Sequence, residues 1–203
     1  MDGLSPVAMA VAIDRRVRRR HPLAPALPKL WLMTDERQGE QLWPALDALP
    51  RGSGVIVRHY SLPVAKRRAL VARIRKIADG RGLVLVTAGS AMLARSSHAD
   101  GFHARSDKRG PPELMRTMAV HNLAELRLAE RVGADLVFIS PVFATDSHPG
   151  APSLGRVRFG ELVRQSRIPV IALGGMTNSR AQSLAGFNIY GWAAIGALTP
   201  DRD

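Results

Sequence analysis

The sequence predicts a single α/β domain closed as a compact TIM-type (β/α)8 barrel, with an N-terminal helical extension and a missing or minimal last outer helix. Three observations carry that expectation. From Lys29 onward, eight short apolar runs alternate with helical patterns. The runs are nearly all apolar rather than alternating, as strands of a parallel sheet covered from outside must be. None reads as a polar edge strand, and the last run asks for neighbours on both sides, which favours closure over an open doubly wound sheet. A chain of 203 residues suits one domain, and units of roughly 20 residues are compact for this barrel.

The elements follow in order. KLWLMTD (29–35) reads as the first strand, and GEQLWPALDAL (39–49) as a helix with Pro44 in a short or bent first turn. GVIVRHY (54–60) is the second strand. The next helix places Leu70, Val71, Ile74, Ile77 and Ala78 on one stripe, with Pro63 suited to its first turn and Gly80 to its stop. GLVLVTAG (82–89) is the third strand, SAMLARS a short helix, and DGFHA (100–104) the fourth strand. A helical piece is expected near Glu113, then a strand at TMAVH (117–121). Asn122 and Glu125 read as a capping-box variant: the asparagine accepts from the first turn and the glutamate returns the bond, which starts a helix immediately after His121. DLVFISPV (135–142), IPVIALGG (168–175) and IYGWAAIGAL (189–198) are the last three strands, with helices at 156–166 and 177–186 between them.

Residues 1–28 read as a basic extension and 29–203 as the barrel. An amphipathic helix around Val7 to Val17 is expected to cover the gap left by the missing outer helix, or to cap the barrel floor. Apolar residues at 46% and charged residues at 23% match soluble globular proteins, and no apolar run approaches the roughly 18 residues of a membrane span. The absence of cysteine excludes disulfides and thiolate chemistry and fits a reducing, cytoplasmic setting. The formal charge of +12 raises the question of nucleic acid. Its 25 arginines against four lysines are dispersed along helices as solvated faces, which argues against that partner; RRVRRR (Arg15 to Arg20) is its best support. Composition leaves homo-oligomerisation open.

In such a barrel the ligand site lies where the strands end, because loops and helix N-termini converge there. Gly174 and Gly175 close the seventh strand just before a helix. Outward-pointing amides, a helix N-terminus and the lack of a Cβ suit a phosphate, although a tight turn alone would also use two glycines. Ile195 and Gly196 supply a second small-residue turn after strand eight, where the phosphate site of barrels commonly forms. His121 closes strand five and is the candidate acid and base, with a structural histidine as the other reading. Loop 141–156, which carries Thr145, Ser147 and His148, reads as a lid over the barrel mouth or an inert excursion. No His, Asp and Glu grouping has metal spacing, and VLVTAGSA lacks the ending of a P-loop.

The stretches LWLMTDE, GVIVRHY, ADGFHARSD, MAVHNLAELRLAERVGADLVFISPVFATDSHPG, IPVIALGGMTNS and YGWAAIGAL resemble the thiamine phosphate synthase and thiazole tautomerase superfamily, over roughly Lys29 to Leu198. The resemblance implies a (β/α)8 barrel that binds a phosphorylated thiazole in thiamine biosynthesis. It implies that Gly174, Gly175, Ile195 and Gly196 hold the phosphate, that Arg58 and the loop residues Thr145, Ser147 and His148 contact substrate, and that His121 matches the acid and base of the tautomerase branch. It implies magnesium only where synthase chemistry is retained. Against the synthase pattern, Thr87, Ala88 and Gly89 stand where Asn-Asp-Arg is typical, and Ile56 and Tyr60 replace the Gln and Lys flanking Arg58. His148 replaces a loop lysine, and Asp107 is one position out of register. The readings carried forward are a synthase-like protein, a tautomerase-like isomerase, and a silent phosphate-ligand binder.

Overall fold

Side chains alternate between the barrel interior and the helical coat along strands that are all parallel, and this alternation sets the architecture. The computed structural model describes residues 27–145 and 152–199. The strands are β1 (Leu30–Met33), β2 (Gly54–Val57), β3 (Val84–Ala88), β4 (Gly101–His103), β5 (Met115–Val120), β6 (Leu136–Ile139), β7 (Val170–Ala172) and β8 (Gly191–Ala194). They form a closed barrel in sequence order, with Trp31 of β1 in register with Ala193 of β8 at the closure. The helices are α1 (Leu42–Ala48), α2 (Val64–Arg81), α3 (Ala91–Ser96), α4 (Leu123–Val132), α5 (Gly155–Gln165) and α6 (Asn178–Ser183). The expected N-terminal helix, the Arg15 to Arg20 cluster, Ser147 and His148 lie outside the described residues. None of the described helices is long and apolar enough to cross a membrane.

The interior is filled by Trp31, Met33, Ile56, Val86, Leu136 and Phe138 among others. Trp31 and Phe138 meet edge to face with centroids 5.4 Å apart. Burying each contributes about 1.5–3 kcal/mol or more. Gly54 belongs to this packing, because a Cβ there would overlap the Trp31 ring. Leu27, just ahead of β1, is buried against the same interior, and its carbonyl accepts the Tyr190 hydroxyl at 2.8 Å. Outside the sheet, Leu32, Val55 and Leu85 pack against Leu46 of α1 and Ile74 of α2. Val137 and Ile139 pack against Leu126 of α4 and Phe159 of α5.

Several expectations are corrected. The helix expected over 39–49 is split: a 3-10 helix over Glu36–Gln41, opened by a capping box between Asp35 and Gln38, breaks at Gly39 before α1 begins. α2 runs past Gly80 and stops at Gly82, whose φ of 63° suits a residue without a side chain. The helical piece expected near Glu113 is a turn, with Leu114 N–H on the Pro111 carbonyl at 3.3 Å, and β5 begins at Met115 rather than 117. Gly110, Pro111 and Pro112 disfavour a helix there. The crossover is tied down by Arg116 instead: its guanidinium donates to the Lys108 carbonyl and, at 2.7 Å, to the Ser106 carbonyl. After β8, the described chain forms only a 3-10 turn at Gly196–Leu198.

Candidate functional site at the barrel mouth

At the strand ends the inward positions continue upward past the packed layer and open into a cavity of about 860 Å³. Arg58, His103, His121, Thr145, Gly174, Gly175, Ile195 and Gly196 all line it. The described candidates are therefore brought together on one wall system, with Ser147 and His148 outside the described residues.

The paired glycines have a cause visible only in three dimensions. Gly174 and Gly175 have φ of 93° and 61°, a region that favours glycine. A Cβ on Gly174 would sit 2.6 Å from Pro141 Cα, and one on Gly175 would overlap the Ala144 carbonyl oxygen. The loop after β6 lies directly on them: Val142 N–H donates to the Leu173 carbonyl at 2.9 Å and Phe143 N–H to the Gly174 carbonyl at 3.1 Å. What comes close to these glycines is first of all the protein itself. Gly196 differs, since among the described residues a Cβ there would meet no atom within 4 Å beyond its chain neighbours. Arg180 of α6, which sequence reasoning missed, also lines the cavity; its guanidinium holds the Gly175 carbonyl and lies over the Phe143 ring at 5.1 Å. Only its place in the first turn after the glycines could have signalled it.

His121 projects from the end of β5 with its side chain 41% exposed. Glu125 Oε2 accepts from the His121 backbone N–H at 2.8 Å and lies 2.8 Å from the ring Nδ1. The capping box is thus displaced by one residue: Asn122 Oδ1 accepts Glu125 N–H at 2.9 Å as expected, while the returning bond goes to His121 rather than to the cap itself. Arg105 pairs with the other Glu125 oxygen. Burial pushes the Glu125 carboxyl up, but the hydrogen bonds from His121 and the charges of His121 and Arg105 outweigh it and hold the group below its usual value.

Arg58 is half-buried at the mouth with much of its guanidinium engaged: Nε donates to the Thr34 carbonyl at 2.8 Å and a terminal nitrogen to Asp35 at 2.7 Å. The Asp35 carboxyl is held down at about 2, first by its hydrogen bond from Arg37 and further by Arg58, against the opposing effect of burial. Deeper, His103 of β4 stacks edge-on to Phe138 at 5.5 Å and pairs through Nδ1 with Thr117 Oγ1 at 2.8 Å. Burial, with Arg58 nearby, pushes the His103 imidazole down to about 4, so it stays neutral.

The residues in the synthase triplet position do not form a cation site. Thr87 is fully buried in the β3 ladder, the Ala88 carbonyl is taken by Arg67, and Gly89 N–H donates to the His103 carbonyl at 2.9 Å. Among the described residues the cavity wall carries Arg37, Arg58 and Arg180 but no carboxylate, and no grouping of three metal-binding side chains exists. This donor set does not fit magnesium, a hard cation that takes carboxylate oxygens.

The profile of the thiamine monophosphate synthase family matches residues 30–198, the whole barrel from β1 to the turn after β8. The chain belongs to the thiamine monophosphate synthase family. A putative thiamine-phosphate synthase 2 from Aquifex aeolicus (strain VF5) is 29% identical over 179 residues, covering 83% of this chain and 96% of the relative. A thiamine-phosphate synthase from Methanococcus vannielii is 24% identical over 183 residues, 86% of this chain and 89% of the relative. The thiamine phosphate pyrophosphorylase from Pyrococcus furiosus superposes with a TM-score of 0.71 at 24% identity, over 83% of this chain and 86% of that one. That likeness places the fold of this thiamine monophosphate synthase family member beside a solved structure.

Proposed function

We propose that the chain acts in thiamine biosynthesis by binding a phosphorylated thiazole at the barrel mouth and moving a proton on that ring with His121. The turns at Gly174–Gly175 and Ile195–Gly196 receive the phosphate, with Arg180 at their side. The observation that carries this reading is the make-up of the cavity wall: three arginines, two of them sharing Asp35 behind it, and no carboxylate among the described wall residues, with a carboxylate-paired histidine at the rim. Such a wall suits an anionic ligand that arrives without a metal. His121 takes a proton from one ring position and returns it at another, so the step is an isomerisation with no net loss of atoms or electrons.

The second reading is the coupling reaction implied by the relatives' names, in which a pyrimidine pyrophosphate and a thiazole phosphate are joined. The family match favours it; the lack of carboxylate ligands for magnesium among the described wall residues weighs against it. The test supplies the wild type with a phosphorylated thiazole tautomer in the presence of a chelator, and separately with thiazole phosphate, pyrimidine pyrophosphate and magnesium. Isomerisation that survives the chelator and falls by about 10²–10⁴-fold in His121→Ala supports the first reading. Formation of the coupled product with release of pyrophosphate overturns it.

A further inference from the structure

We infer that Glu125 is a positioning residue that holds His121 in one tautomer, with the proton on Nδ1 and the lone pair of Nε2 presented to the cavity. The inference deepens the reading of His121 above and rests on it for its catalytic meaning, while its structural content stands by itself.

An ionised carboxylate only accepts hydrogen bonds, so a ring nitrogen 2.8 Å from Glu125 Oε2 has to carry a hydrogen. The ionised state is supported by two further donors, the His121 backbone N–H at 2.8 Å and the Arg105 guanidinium on the other oxygen. With Nδ1 protonated, the neutral ring keeps its lone pair on Nε2, the opposite of the arrangement free histidine prefers in water. Which nitrogen is basic is set by the hydrogen bond the other makes.

The geometry makes the lock rigid. Glu125 sits one helical turn beyond the strand end, and its own N–H is fixed on the cap residue Asn122 at 2.9 Å. The same Oε2 grips both backbone and ring of His121, which ties the ring to the start of α4. When Nε2 accepts a proton, the imidazolium forms beside an anion already in place, so little rearrangement is needed at the moment of transfer. A glutamate serving only as a helix cap has no need to reach the ring.

The test uses the full chain with ring nitrogen-15 histidine. The sequence holds six histidines, and His121 is assigned by the signals lost in His121→Ala. Above the ring's titration, the wild type is expected to show a protonated Nδ1 and a bare Nε2 at His121, and Glu125→Gln is expected to abolish that preference. In turnover of a phosphorylated thiazole, Glu125→Gln should lower kcat by about 10–100-fold with KM unchanged, and Glu125→Asp should recover part of it. A wild-type ring protonated on Nε2 overturns the inference, and that measurement needs no variant to fold. So does a Glu125→Gln protein whose tautomer is unchanged while kcat and KM shift together, since the glutamate is then only a cap. If the tautomer is as stated but the protein turns over no thiazole, the positioning stands and the proposed function falls.

Discussion

The two sides of the barrel mouth use the same kind of position for opposite ends. On the side of β7 and β8, the strands finish in small residues, and among the described residues a Cβ added at Gly196 would meet nothing within 4 Å. On the side of β2 and β3, polar groups are engaged with the protein: Arg58 with Thr34 and Asp35, the Ala88 carbonyl with Arg67. A site that recognises one anion with backbone amides needs the first arrangement. A site that must gather a metal-bound pyrophosphate needs free oxygen ligands and cations on the second, and among the described residues Arg58 and the Ala88 carbonyl are bound internally there. The difference teaches that the same kind of strand-end position leaves an open turn on one side of the mouth and an internally bonded wall on the other.

The largest expected effect breaks the assumption that all three glycines serve the ligand. Gly175→Ala places a Cβ against the Ala144 carbonyl in a backbone of φ 61°. Left-handed strain and overlap each cost about 1–3 kcal/mol, so a loss of about 3 kcal/mol or more in urea unfolding is expected. Unchanged stability would mean that the loop after β6 does not rest on this turn.

Next in size is the pH dependence stored at the cavity floor. His103 is held at about 4 in the folded chain against 6.5 unfolded, so the unfolded state takes up the proton first as the medium is acidified. Its contribution is fully present above pH 6.5 and is lost as pH falls from 6.5 to about 4. The span corresponds to on the order of 3 kcal/mol at about 1.4 kcal/mol per pH unit. His103→Gln should flatten that part of the stability curve measured by denaturant unfolding at successive pH values. A slope that survives the substitution assigns the acid sensitivity elsewhere.

How much of this was legible in the sequence follows from the range of the forces involved. The strands could be located because a parallel barrel makes both faces of each strand apolar, a local signal: LVFI in β6 shows it without help from any neighbour. The candidate residues at strand ends were legible for the same reason, since a strand's end fixes where the mouth lies. The helix expected near Glu113 failed because a single arginine, Arg116, secures that crossover through carbonyls eight and ten residues away. The role of Glu125 was half legible: Asn122 and Glu125 mark a capping box, yet the pattern is the same whichever N–H receives the returning bond. The contact of Pro141 with Gly174 spans a whole crossover and leaves no trace in either segment.

The smallest expected effect on folding sharpens the comparison most. Gly196→Ala adds a methyl group where, among the described residues, no atom beyond the chain neighbours lies within 4 Å, and its backbone has no positive φ to strain. Stability should therefore stay within about 0.5 kcal/mol of the wild type. If the turn after β8 receives a phosphate through its backbone, the same methyl occupies the approach path, and binding of a phosphorylated thiazole, followed by calorimetry, should weaken about tenfold, equivalent to roughly 1.4 kcal/mol. Gly175→Ala loses binding because the fold yields; Gly196→Ala should lose it with the fold intact, and only that second result separates a ligand-facing glycine from a packing one. Undiminished binding in Gly196→Ala would move the anion away from the β8 turn.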